Sequence, residues 1–269
     1  VAVIAISRGF FFGAQLLAER LAGKLGYRCI DRDVIVAKAS ACGVSQEELR
    51  NALDNPPSFF ERFHRRKTMY MRVYQSLLLD EVRSGNVIYN SNAGHFLLGN
   101  ISHVLKARII APLEFRLAMV QERMHKSRPE ALAYIQKFDQ ERAKWTRFIY
   151  GVDWTDPSYY DLVINLERMD VRDATEVILA SVRLKCFQET EESRAAMENL
   201  ALESRVKARL VTHPPTSQLE MEVLARGGLV RLRGSLYSQK QVVEVRNLVL
   251  AVPGVEELEE EIDVVDAEV

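Results

Sequence analysis

The feature that most limits what this chain can become is its opening, Val1-Ala-Val-Ile-Ala-Ile6, a continuous apolar run rich in β-branched residues. A run without polar alternation belongs to a central parallel strand that is buried on both faces. Ser7-Arg8-Gly9-Phe10-Phe11-Phe12-Gly13 follows at once, and Leu16, Leu17, Leu21 and Leu25 then recur at helical spacing up to Gly26. Gly26 stands where a helix commonly stops in a left-handed turn. Arg28-Cys29-Ile30 begins a second short strand that leads into Asp31-Arg32-Asp33. Strand, glycine-bearing turn, helix, turn and strand make a βαβ opening. Such a strand–loop–helix junction cradles phosphate, because backbone N–H groups and the helix dipole converge on an anion there.

Downstream, the pattern predicts a helix over 33–40 and another opened by a capping box, with Ser45 as N-cap and Glu48 three residues on. Asn55-Pro56-Pro57 breaks it, and a long helix over about 59–84 carries His64-Arg65-Arg66-Lys67 with Tyr70, Arg72 and Tyr74. That mixture of basic and aromatic residues could grip nucleic acid by charge and stacking; the alternative, which the sequence favours, is a solvated helix face. Strands are predicted over 87–89, 107–111 and 161–165, and helices over 114–124, 129–150 and 172–202, the last in one or two pieces. After that the periodicity changes. Residues 219–224 and 229–233 alternate as half-buried strands around Gly227-Gly228, an amphipathic helix covers 239–252, and 255–264 gives a last strand. The expected organisation is a large α/β domain over 1–195 and a small α+β domain over 196–269.

Charge narrows the partners. Lys and Arg number 36 and Asp and Glu 37, so the overall field offers nucleic acid no basic domain. Cys29, Cys42 and Cys186 are isolated, with neither a CxxC pair nor a disulfide framework, which fits a reducing cytoplasm. The histidines show no metal-ligand spacing, so no metal site is expected from them. No apolar run approaches the ~20 residues of a membrane span. Because the chain opens on Val1, any targeting segment upstream lies outside this reading.

The usual phosphate-binding loop reads G-x-x-x-x-G-K-[ST]. Here Gly9 and Gly13 are one residue too close, and Ala14-Gln15-Leu16 stands where Gly-Lys-Ser/Thr is expected. The phosphate-reaching Lys and the magnesium-binding hydroxyl are both missing. A plain hydrophobic strand-to-helix turn accounts for the same residues. The wider pattern is more specific. Ile6-Ser7-Arg8, the loop, Leu25-Gly26-Tyr27 and Asp31-Arg32-Asp33 form one block; Ile135, Lys137, Asp139, Glu141-Arg142, Tyr150-Gly151, Asp153-Trp154, Asp156-Pro157 and Tyr160 to Asn165 form a second. Together they resemble the cytidylate kinase-like family, over about residues 1–185.

The resemblance implies a P-loop kinase-like three-layer α/β/α domain with a parallel sheet, using ATP and Mg²⁺ to phosphorylate a pyrimidine nucleoside monophosphate such as CMP. Such transfer is largely positioning and charge neutralisation. It also implies Arg123, Arg128, Asp139 and Arg142 as catalytic candidates in an arginine-bearing lid. Ser7, Arg8, Gly9, Gly13, Ala14, Gln15, Asp31 and Arg32 become nucleotide-binding candidates. Against these roles stand solvated helix arginines at 123 and 128, and a simple i, i+3 pair between Asp139 and Arg142. Two departures remove charge. Gln15 replaces the basic loop residue, and Ser91, in Asn90-Ser91-Asn92-Ala93, stands where the family carries an acceptor-site Arg. The expectation is a degenerate phosphate loop, with Phe10–Phe12 filling the phosphate pocket and catalysis impaired; the alternative is an active (d)CMP kinase.

Residues 197–264 resemble a BON domain, through Gly227-Gly228-Leu229-Val230-Arg231-Leu232-Arg233-Gly234 and Val252-Pro253-Gly254-Val255. This resemblance implies a module that docks a protein partner. It leaves membrane-surface contact without support in the sequence and the oligomeric state open.

Overall fold

In the computed structural model, the described residues are 2–8, 13–54 and 61–265, with backbone only over 61–66. They form two compact units, one built from residues 1–33 and 84–190 and the other from 34–83 and 191–269.

The first unit is organised by β1 (Val3–Arg8). Around it lie α1 (Gly13–Leu25), β2 (Arg28–Asp31) and, beyond the short α2 (Arg32–Val36), an excursion into the second unit through α3 (Gln46–Asp54) and α4 (Glu61–Val82). The chain returns as β3 (Val87–Ser91), β4 (Val104–Ile110), the helical hairpin α5 (Leu113–Met124) and α6 (Arg128–Tyr150), β5 (Leu162–Asn165) and α7 (Val171–Val182). The strands run in the order β2-β3-β1-β4-β5 and all pair in parallel, with β1 central as its composition requires. This is the three-layer α/β arrangement expected of a P-loop kinase.

Alternation along the strands assigns the faces. Ile4, Ile6, Ile88, Leu105, Ala107, Ile109 and Ile164 pack against Leu17 and Leu21 of α1 and Ile178 of α7 in one apolar core. The opposite face of the same strands is polar and aromatic toward its carboxyl edge: Ser7, Tyr89, Ser91 and Arg108, all buried. Register places Ser7 beside both Ser91 and Arg108, and Asn90 beside both Ile6 and Asp31. Because β1 lies between β3 and β4, the edge where these residues meet is the switch point at which open α/β sheets bind ligands.

In the second unit, α8 (Glu191–Thr212), β6 (Glu222–Arg226), β7 (Leu229–Leu236), α9 (Gln239–Leu250) and β8 (Glu257–Val264) follow the predicted helix–hairpin–helix–strand order. β6 and β7 are antiparallel, β7 and β8 parallel. Gly227 and Gly228 hold positive φ of 56° and 87°, as a two-residue hairpin turn between Arg226 and Leu229 demands. Val206, Val223, Val230, Leu232, Val245 and Val249 fill the core between helices and sheet. On the other sheet face Arg231 and Arg233 bond to Glu259 and Glu261 of β8, so the acidic run is a cross-strand charge ladder. α4 also packs on α8: Asp80 lies 3.5 Å from Arg83 and 3.6 Å from Arg205, and Arg83 donates to Glu198 at 3.0 Å.

Three expectations need correction. The helix over 33–40 is the short α2 followed by a 3₁₀ turn over Ala39–Cys42, closed by Gly43 at φ 71°. The stretch 172–202, expected in one or two pieces, forms two helices separated by a turn at Lys185–Phe187. β6 starts at Glu222 rather than 219, because Thr216 donates its hydroxyl to the Leu210 carbonyl and folds the preceding residues into a turn. Finally, Lys67, Tyr70 and Tyr74 are buried rather than solvated. Burial pushes the Lys67 ammonium down to about 8. The side chains of His64 to Arg66 lie outside the described set. Among the described residues no helix is long and apolar enough to cross a membrane.

Candidate functional site

The carboxyl edge of β1 is closed by a hydrogen-bonded lattice. Ser7, 1% exposed, donates its hydroxyl to the Asn92 carbonyl at 2.7 Å and lies 3.5 Å from the Tyr160 hydroxyl. Tyr160 in turn donates to the Trp154 carbonyl at 2.7 Å. With its amide oriented to suit both neighbours, Asn92 donates to the Arg8 carbonyl at 3.1 Å and accepts from the Arg142 guanidinium. Arg142 of α6 is thereby brought to the end of β1, and its guanidinium lies 5.3 Å from the Phe138 ring. Among the lid candidates, Arg142 is linked through Asn92 to the nucleotide-binding candidate Arg8.

Arg8 ends β1. Partial burial lowers its guanidinium from the usual value, opposed by the charges of Asp31 and Asp33 and reinforced by Arg32. Asp31 ends β2 and accepts the Asp33 amide at 2.9 Å, while Arg32 opens α2. Arg8, Asp31 and Arg32 therefore share one electrostatic neighbourhood.

The first residues of α1 carry other side chains than the usual phosphate-binding loop. Gly13 is the first residue of α1, and Ala14 is fully buried in the apolar core beneath the helix. Gln15 uses both ends of its amide within the protein: its oxygen accepts from Asn90 Nδ2 at 2.6 Å and its nitrogen donates to Glu19 at 2.8 Å. The position that would reach phosphate with a charged amine thus holds a neutral amide tied to β3. Ser91 accepts the Gly94 amide at 3.0 Å, a short-range turn contact where an acceptor-site cation was expected. Gly9 and Phe10 to Phe12, with the expectation that the phenylalanines fill the phosphate pocket, lie outside the described residues.

The other lid candidates are engaged elsewhere on the α5–α6 hairpin. Arg128 forms a bidentate pair with Glu114, at 2.9 and 2.7 Å, in the open. Arg123 sits in the last turn of α5 and is exposed. Asp139 is held bidentately by Arg116 of α5, at 2.9 and 2.7 Å, across the hairpin rather than within its own helix. Sequence reasoning passed over Arg116 as a site residue, although its place just after Ala111-Pro112 at the end of a strand was a usable signal.

It also passed over the buried polar layer of Arg108 and His95. Arg108 is 8% exposed and donates to the Trp154 carbonyl, with its guanidinium 4.4 Å from the Trp154 ring centre and 5.4 Å from that of Tyr160. His95 stacks on Phe96 at 4.1 Å and on Tyr160 at 4.8 Å, with both ring nitrogens buried and unpartnered. Burial, aided by the charges of Lys106 and Arg108, holds its imidazole down to about 3. A charged residue inside a strand was the signal for Arg108; nothing local marked His95.

The residues at the phosphate end do not fit Mg²⁺–ATP as the usual loop does. They offer neither an amine nor a hydroxyl at Ala14-Gln15-Leu16, and among the described residues no three His, Cys, Asp or Glu side chains converge.

Over residues 3–168 the sequence matches the cytidylate kinase-like family. It is 30% identical over 179 residues to a protein of Ignicoccus hospitalis named cytidylate kinase, covering 65% of this chain and 96% of that one. A cytidylate kinase of Methanothrix thermoacetophila is 27% identical over 188 residues, covering 67% and 98%. The crystal structure of an uncharacterized protein from Eubacterium ventriosum shares the fold, with a TM-score of 0.50 at 21% identity over 67% of this chain and 97% of that one.

Proposed function

We propose, from the premise that this chain belongs to the cytidylate kinase-like family, that it is a nucleotide-binding member whose phosphoryl-transfer chemistry is impaired. In this reading it acts as a nucleotide sensor or scaffold. The observation that carries it is Gln15. A neutral amide, bonded to Asn90 and Glu19, occupies the place of the phosphate-reaching cation. Removing a group that stabilises transferring charge typically costs about 10²–10⁵ in rate. The loss at Ser91 compounds this one.

The binding half of the site is better preserved. Arg8, Asp31, Arg32 and Arg142 supply the polar and charged groups at the switch point, and ATP and CMP are the ligands this reading favours. Residues 196–269, as a BON-like module, would carry a protein partner. The free cysteines agree with a cytoplasmic setting.

The second reading, an active (d)CMP kinase that uses ATP and Mg²⁺, is favoured by one observation: Arg142 reaches the β1 edge through Asn92.

Ligand-induced thermal shift tests binding. Saturation at about 100 times Kd stabilises a folded protein by about 3 kcal/mol. A rise in melting temperature with ATP or CMP is the expected result. No rise with either nucleotide would contradict the proposal and leave a fold retired from nucleotide binding.

A further inference from the structure

The carboxyl end of β4 opens into a cleft of about 430 Å³ between the start of α5, the middle of α6 and Trp154. None of the described residues that line it belongs to β1, α1 or Asp31–Asp33. Its volume falls in the range of small-molecule sites. Its electrostatics are unbalanced. Arg108 and Arg116 both line the cleft, against one carboxylate, Asp139. That carboxylate is taken by Arg116 in a bidentate pair at 2.7 and 2.9 Å.

Arg108 is the unusual group. It is more than nine-tenths buried; it donates to the Trp154 carbonyl, lies against two aromatic faces and shares a hydrogen bond with the Tyr160 hydroxyl, and the exposed Asp153 carboxylate is within its electrostatic reach. Among the described residues no carboxylate pairs with it. Asp153, exposed and outside ion-pair distance, compensates it only in part, and a buried cation so placed is costly unless a closer anion supplies the rest. A guanidinium presents a planar fork of five donors that matches a carboxylate or a phosphate, so bonds to one carbonyl and one hydroxyl still leave donors for a ligand. Ile110, Ala111 and Ala143 give the cleft an apolar wall, beside the polar Gln140 and Thr155.

We infer that this cleft is a binding site for a small organic anion, a carboxylate or phosphate group engaging Arg108 on an apolar, ring-sized body against Ile110 and Ala143. The inference does not rest on the nucleotide reading of the β1 edge and is tested without nucleotides.

The chain has two tryptophans, so the indole ¹H–¹⁵N signal of Trp154 can be assigned by comparison with Trp145→Phe. Benzoate, phenyl phosphate and neutral benzyl alcohol are titrated into the full chain while that signal is followed. The expected result is a saturable shift with one or both anions and none with the alcohol; benzoate against phenyl phosphate decides which anion the site prefers. Arg108→Met is expected to weaken the preferred anion about tenfold or more. Should Arg108→Met fail to fold, Ala143→Leu at an exposed helix position narrows the same cleft and is expected to weaken binding likewise. Absence of saturation with both anions, equal response to the alcohol, or unaltered binding in the folded variants would overturn the inference.

Discussion

Replacing Gly94 with alanine is expected to destabilise the protein by about 3 kcal/mol, enough to show as a large drop in the urea midpoint. The backbone at Gly94 is not the problem; the space is. A Cβ built there would lie 2.0 Å from the Tyr89 hydroxyl and 2.5 and 2.6 Å from two of its ring atoms. Tyr89 cannot swing away, because it is among the largest fully buried side chains of β3. The backbone cannot shift freely either, because the Gly94 amide is anchored to Ser91 Oγ at 3.0 Å. Tyr89→Phe should relieve only the hydroxyl clash, whereas Tyr89→Leu in the Gly94→Ala background should recover more of the loss. A Gly94→Ala midpoint equal to the parent's would contradict this packing.

The second large effect is acid sensitivity centred on His95. Its folded-state imidazole titrates at about 3 because the ring is 2% exposed and faces Lys106 and Arg108. In the unfolded chain it would titrate near 6.5. The folded-state value is depressed, so the neutral ring's contribution is fully present above about 6.5 and lost progressively as pH falls toward 3. By pH 4.5 the loss from this group alone amounts to about 2–3 kcal/mol. His95→Phe keeps a ring in the stack on Phe96 and Tyr160 and removes two buried nitrogens that have no partner. The variant should match or exceed the parent at pH 7 and outlast it clearly at pH 4.5 in urea titrations. Equal pH dependence of the two proteins would show that His95 is not the acid-sensitive group.

Much of the sheet was legible because its signals are local. The β-branched run of β1, the leucine spacing of α1 and the stop at Gly26 each fix an element from neighbouring residues alone, and the Gly227-Gly228 hairpin needed only its two positive-φ positions. The family blocks likewise led to Arg8, Asp31 and Arg142. What escaped reading depends on distant pairing. Lys67 and Tyr74 sit in a helix whose sequence looks half-solvated, and it is packing against α8 that determines which of its faces are buried. Arg108 reaches the polar layer only because parallel register sets it beside Ser7, a hundred residues away in sequence. Asp139 offered Arg142 as a partner by spacing, and the hairpin packing of α5 on α6 brought it Arg116 instead.

The measurement that tests the central claim most directly is a coupled assay of ATP-dependent CMP phosphorylation by the purified chain with Mg²⁺, at nucleotide concentrations that saturate binding. Active kinases turn over at about 1–100 s⁻¹. With Gln15 in place of the loop cation and Ser91 in place of the acceptor-site Arg, turnover is expected below about 10⁻² s⁻¹. A rate of about 1 s⁻¹ or more would contradict the impaired-kinase reading and establish the (d)CMP kinase in its place.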